Sequence, residues 1–444
     1  MRVESRNVWS DLRDQLERAS ILDTRYPMYG ASSWQAHGTE LCLLLIDHFL
    51  DEFRAAGYRE IGLPSVVPRD LLRRQAQSIK DFDSRLYFSR SDQVVASTIE
   101  AQICPVFARW LDAGEEPPLR VMTMRSVARH ETSSLRPLWK ERVVWPFFEA
   151  QTAYVGDGTS EIDFLVTAPR RICAELGLPV MAVERLRLDR GATQYADRRL
   201  ELVVLMPNGQ ITILTSVYDL GVRFSELLGV QYRGAPVRML NFAFSARLIL
   251  AVLAHSLRPD RQMYHPRLAP TQVAVVPERK NLADADLDPM LATLRDQGLR
   301  ASAVTDGRGV TDRLARARDL GAPVAVRLSP GGTGSVVRPG ADGGEPFANP
   351  RDAAGIAARY LKRAEEDWTQ DASRLLSEAL ATGVVAKLPV CEATPCRADL
   401  VERARPHDIA GICYGEPHDE QPCEGCGVPT TGRALRGVKY QGDK

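Results

Sequence analysis

Two rhythms of apolar and polar residues alternate along this chain. In "TELCLLLIDHFLDEFRAAGY", from Thr39 to Tyr58, apolar residues recur at helical spacing and Gly57 closes the helix. "EIGLPSVVP" reads as a short strand broken by Pro64 and Pro68. "STIEAQICPVFARWLDAG" returns to the helical period. "LRVMTMRSVARHE" and "VVWPFFEAQTAYV" are β-rich runs flanking a basic loop, which predicts antiparallel neighbours joined by a long turn. "GTSEIDFLVTAPRRICAELG" predicts another helix. "RLELVVLMPNGQITILTSVYDLG" predicts a hairpin that turns at "PNG". "FSARLILAVLAHS" is an apolar helix with Arg247 within it.

Residues 1–265 therefore predict one α+β domain around a largely antiparallel sheet. From Leu268 the pattern changes. "TQVAVVP", "LRASAVT" and "PVAVRLS" alternate with the helical runs "DPMLATLRDQG" and "TDRLARARDLG", as in a small α/β domain over 266–350. "PGGTGSVVRPGADGGEP" is expected to be a mobile glycine-rich loop. Residues 351–444 begin with a long amphipathic helix or helix pair and end in a cysteine module of α+β type. No internal repeat is evident.

Composition adds exclusions. The 444 residues are 44% hydrophobic and 26% charged, ordinary values for a soluble globular protein. Lys+Arg and Asp+Glu both number 57, so a global nucleic-acid-gripping charge is absent while a local patch stays open. The N-terminal run has no apolar signal core, and no stretch reaches the ~20 apolar residues of a membrane helix, so a cytoplasmic address is expected. Eight cysteines in so long a chain do not suggest a disulfide scaffold. Cys391, Cys396, Cys423 and Cys426 have C-x4-C and C-x2-C spacing, which suits a four-thiolate structural Zn²⁺ with every position filled by protein. Cys42, Cys104, Cys173 and Cys413 are expected in the core.

"RHETSSLRPLWKER", Arg129 to Arg142, supplies the chemistry. Arg-x-Glu on one strand, a basic turn and a second strand suit ATP. The planar fork of Arg129 matches a phosphate or a carboxylate, and Glu131 could accept the exocyclic amine of adenine. Arg136, Lys140 and Arg142 stand where outer phosphates could meet them. An arginine at 247 in an apolar helix is costly unless it is paired or holds an anion.

Taken together, these motifs resemble the class II aminoacyl-tRNA synthetases, closest to archaeal-type prolyl-tRNA synthetases, from about Tyr26 to Tyr440. "AAGYREIGLPSVVP" resembles the dimer-forming motif 1, with Pro64 as its proline. "RHETSSLRPLWKERVVWPFFEAQT" resembles motif 2, and "FAFSARLILAVLAH" resembles motif 3 with Arg247 as its arginine. The resemblance implies an antiparallel-sheet catalytic domain, an anticodon-binding-like domain, a C-terminal zinc module and a homodimer. It implies activation of an amino acid by ATP with Mg²⁺, then aminoacyl transfer. By the same carry-over Arg129 and Arg247 are catalytic, and Arg129, Glu131, Arg142 and Arg247 bind ATP. The amino acid falls to Thr98, Glu100, Arg129, Phe147, Glu149, Gln151, Thr215, Ser216, Tyr218, Asn241 and Ala243.

Several positions leave the family pattern. "ASTIE" keeps Thr98 and Glu100 but has Ala96 and Ser97 in place of arginine and proline. "FFEAQT" keeps Phe147 and Glu149 and puts Gln151 where histidine stands. "ILTSVYDLGVRF" has Ile213 for glutamine, Thr215 for glycine and Tyr218 for histidine, and "NFA" replaces Ser-Trp-Gly. These changes would shrink a proline pocket, so a smaller amino acid such as alanine is expected. The basic and aromatic anticodon-contacting stretches of the family are missing from "DGRGVTDRLARA" and "GSVVRPGADGG". The expected acceptor is thus a small molecule, a carrier, or a tRNA read at its acceptor end. A genuine prolyl-tRNA ligase and a catalytically inactive binding paralogue are the other two readings.

Overall fold

A computed structural model describes residues 8–76, 86–88, 92–185, 196–258, 261–279, 284–341, 343–403, 408–416 and 418–438. Tyr440 and the tail after it lie outside the described residues.

A ten-stranded sheet carries the molecule. In chain order its strands are β1 (Arg59–Glu60), β2 (Leu119–Ala128), β3 (Val143–Tyr154), β4 (Val180–Arg185), β5 (Arg198–Leu205), β6 (Ile211–Gly221) and β7 (Arg238–Ser245), and three more come from the C-terminal region. β2 and β3 pair antiparallel from Leu119↔Ala153 to Ala128↔Val143, as the flanks of the basic loop predict, with a register shift between Arg125 and Val127. β5 and β6 form the expected hairpin, closed at "PNG" by Gly209 with φ +80°. Among the described residues, only the β1–β2 pairing within this sheet is parallel.

The strand period of two divides the sheet's faces. On β3, Phe148 and Ala150 point into a core with Phe242 and Phe244 of β7, and the Phe148 and Phe244 rings stack with centroids 4.9 Å apart. The helices α1 (Ala36–Ala55) and α3 (Thr159–Glu175) cover that face. α1 buries Leu41, Cys42, Leu45, Ile46, Phe49 and Phe53, the 3.6-period stripe, and the chain leaves it at Gly57 with φ +85°. Each such side chain contributes about 1.5–3 kcal/mol when fully buried. The intervening residues of β3, Phe147 and Glu149, face the other way and line a cavity. The helix α2 (Glu100–Asp112) borders that side, while α4 (Arg247–Ser256) follows directly from β7. Arg247 is therefore the first residue of its helix rather than an interior one.

A second, five-stranded sheet has β8 (Val273–Pro277) parallel to β9 (Ala301–Ala303) and β10 (Val324–Leu328). The glycine-rich segment expected to be a mobile loop instead supplies two antiparallel strands, β11 (Gly334–Val337) and β12 (Glu345–Phe347). Gly334 is essential to this: a Cβ there would lie 1.9 Å from the Arg327 carbonyl oxygen. The helices α5 (Asp284–Asp296) and α6 (Val310–Asp319) complete the small α/β unit.

One continuous 32-residue helix, α7 (Pro350–Ala381), follows. Asn349 caps it by accepting from the Asp352 amide at 3.0 Å, with Pro350 in the first turn. Its first half buries Ala353, Ile356, Ala357 and Leu361 against the small sheet. Its last turns set Leu375, Leu376 and Ala379 beneath β4 and β5. Apart from a two-residue antiparallel pairing of Gln421–Pro422 with Pro429–Thr430, the strands of the 351–444 segment join the large sheet rather than forming one of their own. β13 (Val385–Pro389), β14 (Asp408–Cys413) and β15 (Arg433–Val438) extend the large sheet in the order β13-β15-β14-β4, through Gly411↔Arg185 to Cys413↔Val183. The helix α8 (Thr394–Arg403) completes this end. No helix among the described residues is long and apolar enough to cross a membrane.

Candidate active site

The concave face of β5, β6, β7 and β3 holds a cavity of about 450 Å³. Thr98, Glu100, Arg129, Glu131, Phe147, Glu149, Ser216, Tyr218, Asn241, Ala243 and Arg247, all anticipated from the sequence, line it. Gln151, Thr215 and Arg142 do not. Gln151 sits on the cavity side of β3 but two residues deeper than Glu149, and its amide is fully buried. Thr215 is buried between Leu202 and Phe244 in the sheet. Arg142 donates to the Glu131 carbonyl at 2.9 Å and lies 5.7 Å from the Tyr29 ring centroid.

A carboxylate cage closes one part of the cavity. The Thr98 hydroxyl lies between Glu100 and Glu149, 2.9 Å from Glu149 Oε1, and Asn241 donates to the same oxygen at 3.3 Å. Glu149 Oε2 is buried with no protein partner. Burial, followed by the nearby charge of Glu100, pushes the Glu149 carboxyl well above its ordinary range. The Thr98 hydroxyl proton can serve only one of the two acids at a time, and Glu149 Oε2 is left as a buried polar atom facing the cavity side of the cage.

The other part is cationic. Arg129 is aimed by the Ser97 carbonyl, which accepts from its Nε and Nη2 at 3.3 and 3.2 Å, and its guanidinium lies 5.0 Å from the Phe147 ring centroid. Arg247 donates to the Trp139 carbonyl at 3.0 Å and sits 4.4 Å from that ring's centroid. Burial, and then Arg129, lower its pKa to about 10, so it stays charged at neutral pH. Its place at the head of α4 adds the positive end of a helix dipole. In the basic turn, the backbones of Arg136 and Lys140 exchange hydrogen bonds at 3.0 Å, and Lys140 Nζ pairs with Glu131 at 3.0 Å. Arg136 instead lines a separate cavity of about 490 Å³ beside Tyr26 and Tyr29.

Trp139, Glu141 and Arg199 line the main cavity without having been singled out from the sequence. Glu141 is enclosed, accepts from Ser32 Oγ at 2.8 Å and the Leu138 amide at 3.0 Å, and has its pKa raised by burial to about 6. Arg199 alternates with Glu201 along "RRLEL", a two-residue pattern that marks a shared face, but only the pairing of β5 with β6 says which face.

The Sγ atoms of Cys391, Cys396, Cys423 and Cys426 all lie within 4.8 Å of one another. Four thiolates around a tetrahedral zinc at ~2.3 Å need separations of that order, so the donor set fits the ion. Cys42, Cys104 and Cys173 are buried as expected, their thiols pushed up by desolvation. Cys413 is half-buried on β14, and burial raises its thiol to about 11.

No family model matches the chain. The proline–tRNA ligase of Methanopyrus kandleri is 26% identical over 92% of this chain and 90% of its own length. That of Thermococcus kodakarensis is 26% identical over 65% of this chain and 63% of its own length. Among solved structures, the prolyl-tRNA synthetase of Giardia lamblia in complex with prolyl-adenylate superposes with a TM-score of 0.83, at 19% identity, over 98% of both chains. The enzyme of Cryptosporidium parvum complexed with halofuginone and AMPPNP gives 0.81 at 15% identity, over 97% of this chain and 94% of that one. The chain is therefore similar in sequence to archaeal prolyl-tRNA ligases and shares the fold of the prolyl-tRNA synthetases.

Proposed function

We propose that this chain activates an amino acid with ATP and transfers the aminoacyl group to tRNA, the chemistry of a prolyl-tRNA ligase and so of a class II aminoacyl-tRNA synthetase. The observation that carries the reading is one cavity in which the Glu149–Glu100–Thr98 cage faces Arg129 and Arg247. The cage would hold the α-ammonium and turn the carboxylate toward Arg129. A carboxylate oxygen then attacks the α-phosphorus, and the bond to pyrophosphate breaks with its electrons. Positioning and charge neutralisation by the two arginines supply the rate. Glu131 would read the adenine amine. Mg²⁺ would neutralise phosphate charge, with Glu131 and Glu141 the carboxylates on that side of the cavity. Zn²⁺ on the four cysteines would have a structural role, since protein fills every position. A homodimer belongs to the same reading.

Proline is the amino acid that the names of the relatives support. A second reading keeps the activation step but changes the amino acid and replaces tRNA by a small molecule or carrier, as in specialised metabolite synthesis. Tyr218, Asn241 and Ala243 on the cavity wall favour it. ATP–pyrophosphate exchange across the amino acids, followed by charging of total tRNA, tests both. Proline-dependent exchange with charged proline tRNA supports the first, and exchange without tRNA charging supports the second. Absence of exchange with every amino acid would sink both.

A further inference from the structure

Arg199 is a cation of the cavity that the activation chemistry does not use. Strand register fixes where it stands. Ser245 pairs with Phe147, and Arg247 follows two residues later at the head of α4, so that row marks the phosphate end. Four residues back along β7, Asn241 pairs with Gln151 on one side and Tyr218 on the other, and Tyr218 pairs with Arg199. At ~3.3 Å per residue the Arg199 row lies about 13 Å from the phosphate end. The row between them, Glu149↔Ala243↔Ser216↔Glu201, contains the carboxylate cage. An amino acid held at the cage by its ammonium, with its carboxylate toward Arg129, would have Asn241, Tyr218 and Arg199 along the cavity wall on the side away from the phosphate end.

That end is built to hold a charge. The Arg199 guanidinium lies 5.3 Å from the Tyr218 ring centroid, and it pairs with Glu201, whose carboxylate is inaccessible to solvent. Glu201 is shared with Arg185 at 3.7 Å, so within this triad two guanidiniums lean on one carboxylate. The side chain of Arg199 keeps 22% of its surface exposed, toward the cavity it lines. Three strands at ~4.8 Å and two residues at ~3.3 Å put the Cα atoms of Glu149 and Arg199 about 16 Å apart. Both side chains line the same cavity from the same face of the sheet.

We propose that Arg199, steadied by Tyr218 and Glu201, is a specificity-determining residue that selects an α-amino acid whose side chain ends in a carboxylate. This rests on the amino-acid-activation reading and departs from proline as the amino acid. A planar fork matches a carboxylate in two hydrogen bonds. A proline ring or alanine methyl in its place would cover the N–H groups without accepting from them, and sites built to hydrogen-bond a substrate reject analogues lacking the group by large factors.

ATP–pyrophosphate exchange on the full-length protein tests the inference, with L-aspartate, L-glutamate, L-proline and L-alanine. An acidic amino acid is expected to exceed proline and alanine by at least ~100-fold in kcat/KM. Arg199→Gln should lower kcat/KM for the acid by about 100-fold through KM, leave the KM for ATP unchanged, and narrow the gap to proline; Arg199→Lys should recover part of the loss. A purely structural ion pair would instead lower the melting temperature and weaken all amino acids and ATP alike, which overturns the inference. Proline or alanine leading in the wild type, with the order unchanged in Arg199→Gln, overturns it while leaving the activation reading intact. No exchange with any amino acid overturns both.

Discussion

Replacing Glu149 by glutamine separates what the carboxylate costs from what it does. In the folded protein its pKa is raised from 4.5 by burial and by Glu100. A carboxyl whose folded value lies above its unfolded one loses stability as pH rises from 4.5 through the folded value. Held protonated at pH 7, it costs 1.36 kcal/mol per pH unit above 4.5, or about 3 kcal/mol. Glutamine has the same shape, does not titrate and can still meet Thr98 and Asn241. Unfolding entropy of about 2.1 cal/mol/K per residue makes 1 kcal/mol worth roughly 1 °C in a chain of 444 residues. Glu149→Gln should therefore melt about 3 °C higher at pH 7, and the difference should vanish near pH 4.5. Function should move the other way. An ammonium deprived of a buried anionic partner loses about 2–4 kcal/mol, a 30- to 1000-fold fall in kcat/KM for the amino acid in pyrophosphate exchange. The KM for ATP should stay within about threefold, because Glu149 is not at the phosphate end. In the wild type, kcat/KM for the amino acid should climb with pH as the cage loses its proton, and the variant should be flat. A variant that loses stability at pH 7, or keeps full amino acid affinity, would refute the cage as the ammonium site.

Arg247→Ala should raise the KM for ATP by roughly 30-fold or more with little change in amino acid KM, measured in the same exchange assay, since it removes a cation at a helix N-terminus. Chelation, or Cys396→Ser, should release about one zinc per chain in a colorimetric assay and loosen the C-terminal strands, seen as loss of near-ultraviolet circular dichroism. Gly334→Ala should cost about 1–3 kcal/mol in a denaturant melt, because its Cβ would lie 1.9 Å from the Arg327 carbonyl oxygen.

Local physics was legible in the chain. The helical stripe of α1, the "PNG" hairpin, the strands around the basic turn and the cysteine spacing are all properties of neighbours in sequence, and the structure contains each of them. Arg129, Glu131, Glu149 and Arg247 could be picked out because motifs keep chemistry-bearing residues close together along the chain. What needed the tertiary structure was pairing between distant strands. Only the β5–β6–β7–β3 register sets Arg199, Tyr218 and Asn241 in one row, and only it takes Gln151 and Thr215 out of the cavity wall. The glycine-rich segment read as a loop because glycines disfavour strands in isolation, yet a close approach to Arg327 requires one there. Likewise no pattern within residues 351–444 tells that β14 completes the edge of β4, because an edge strand's free hydrogen-bonding groups accept any partner that folding brings alongside. Periodicity determined the elements, and long-range pairing decided which side chains meet.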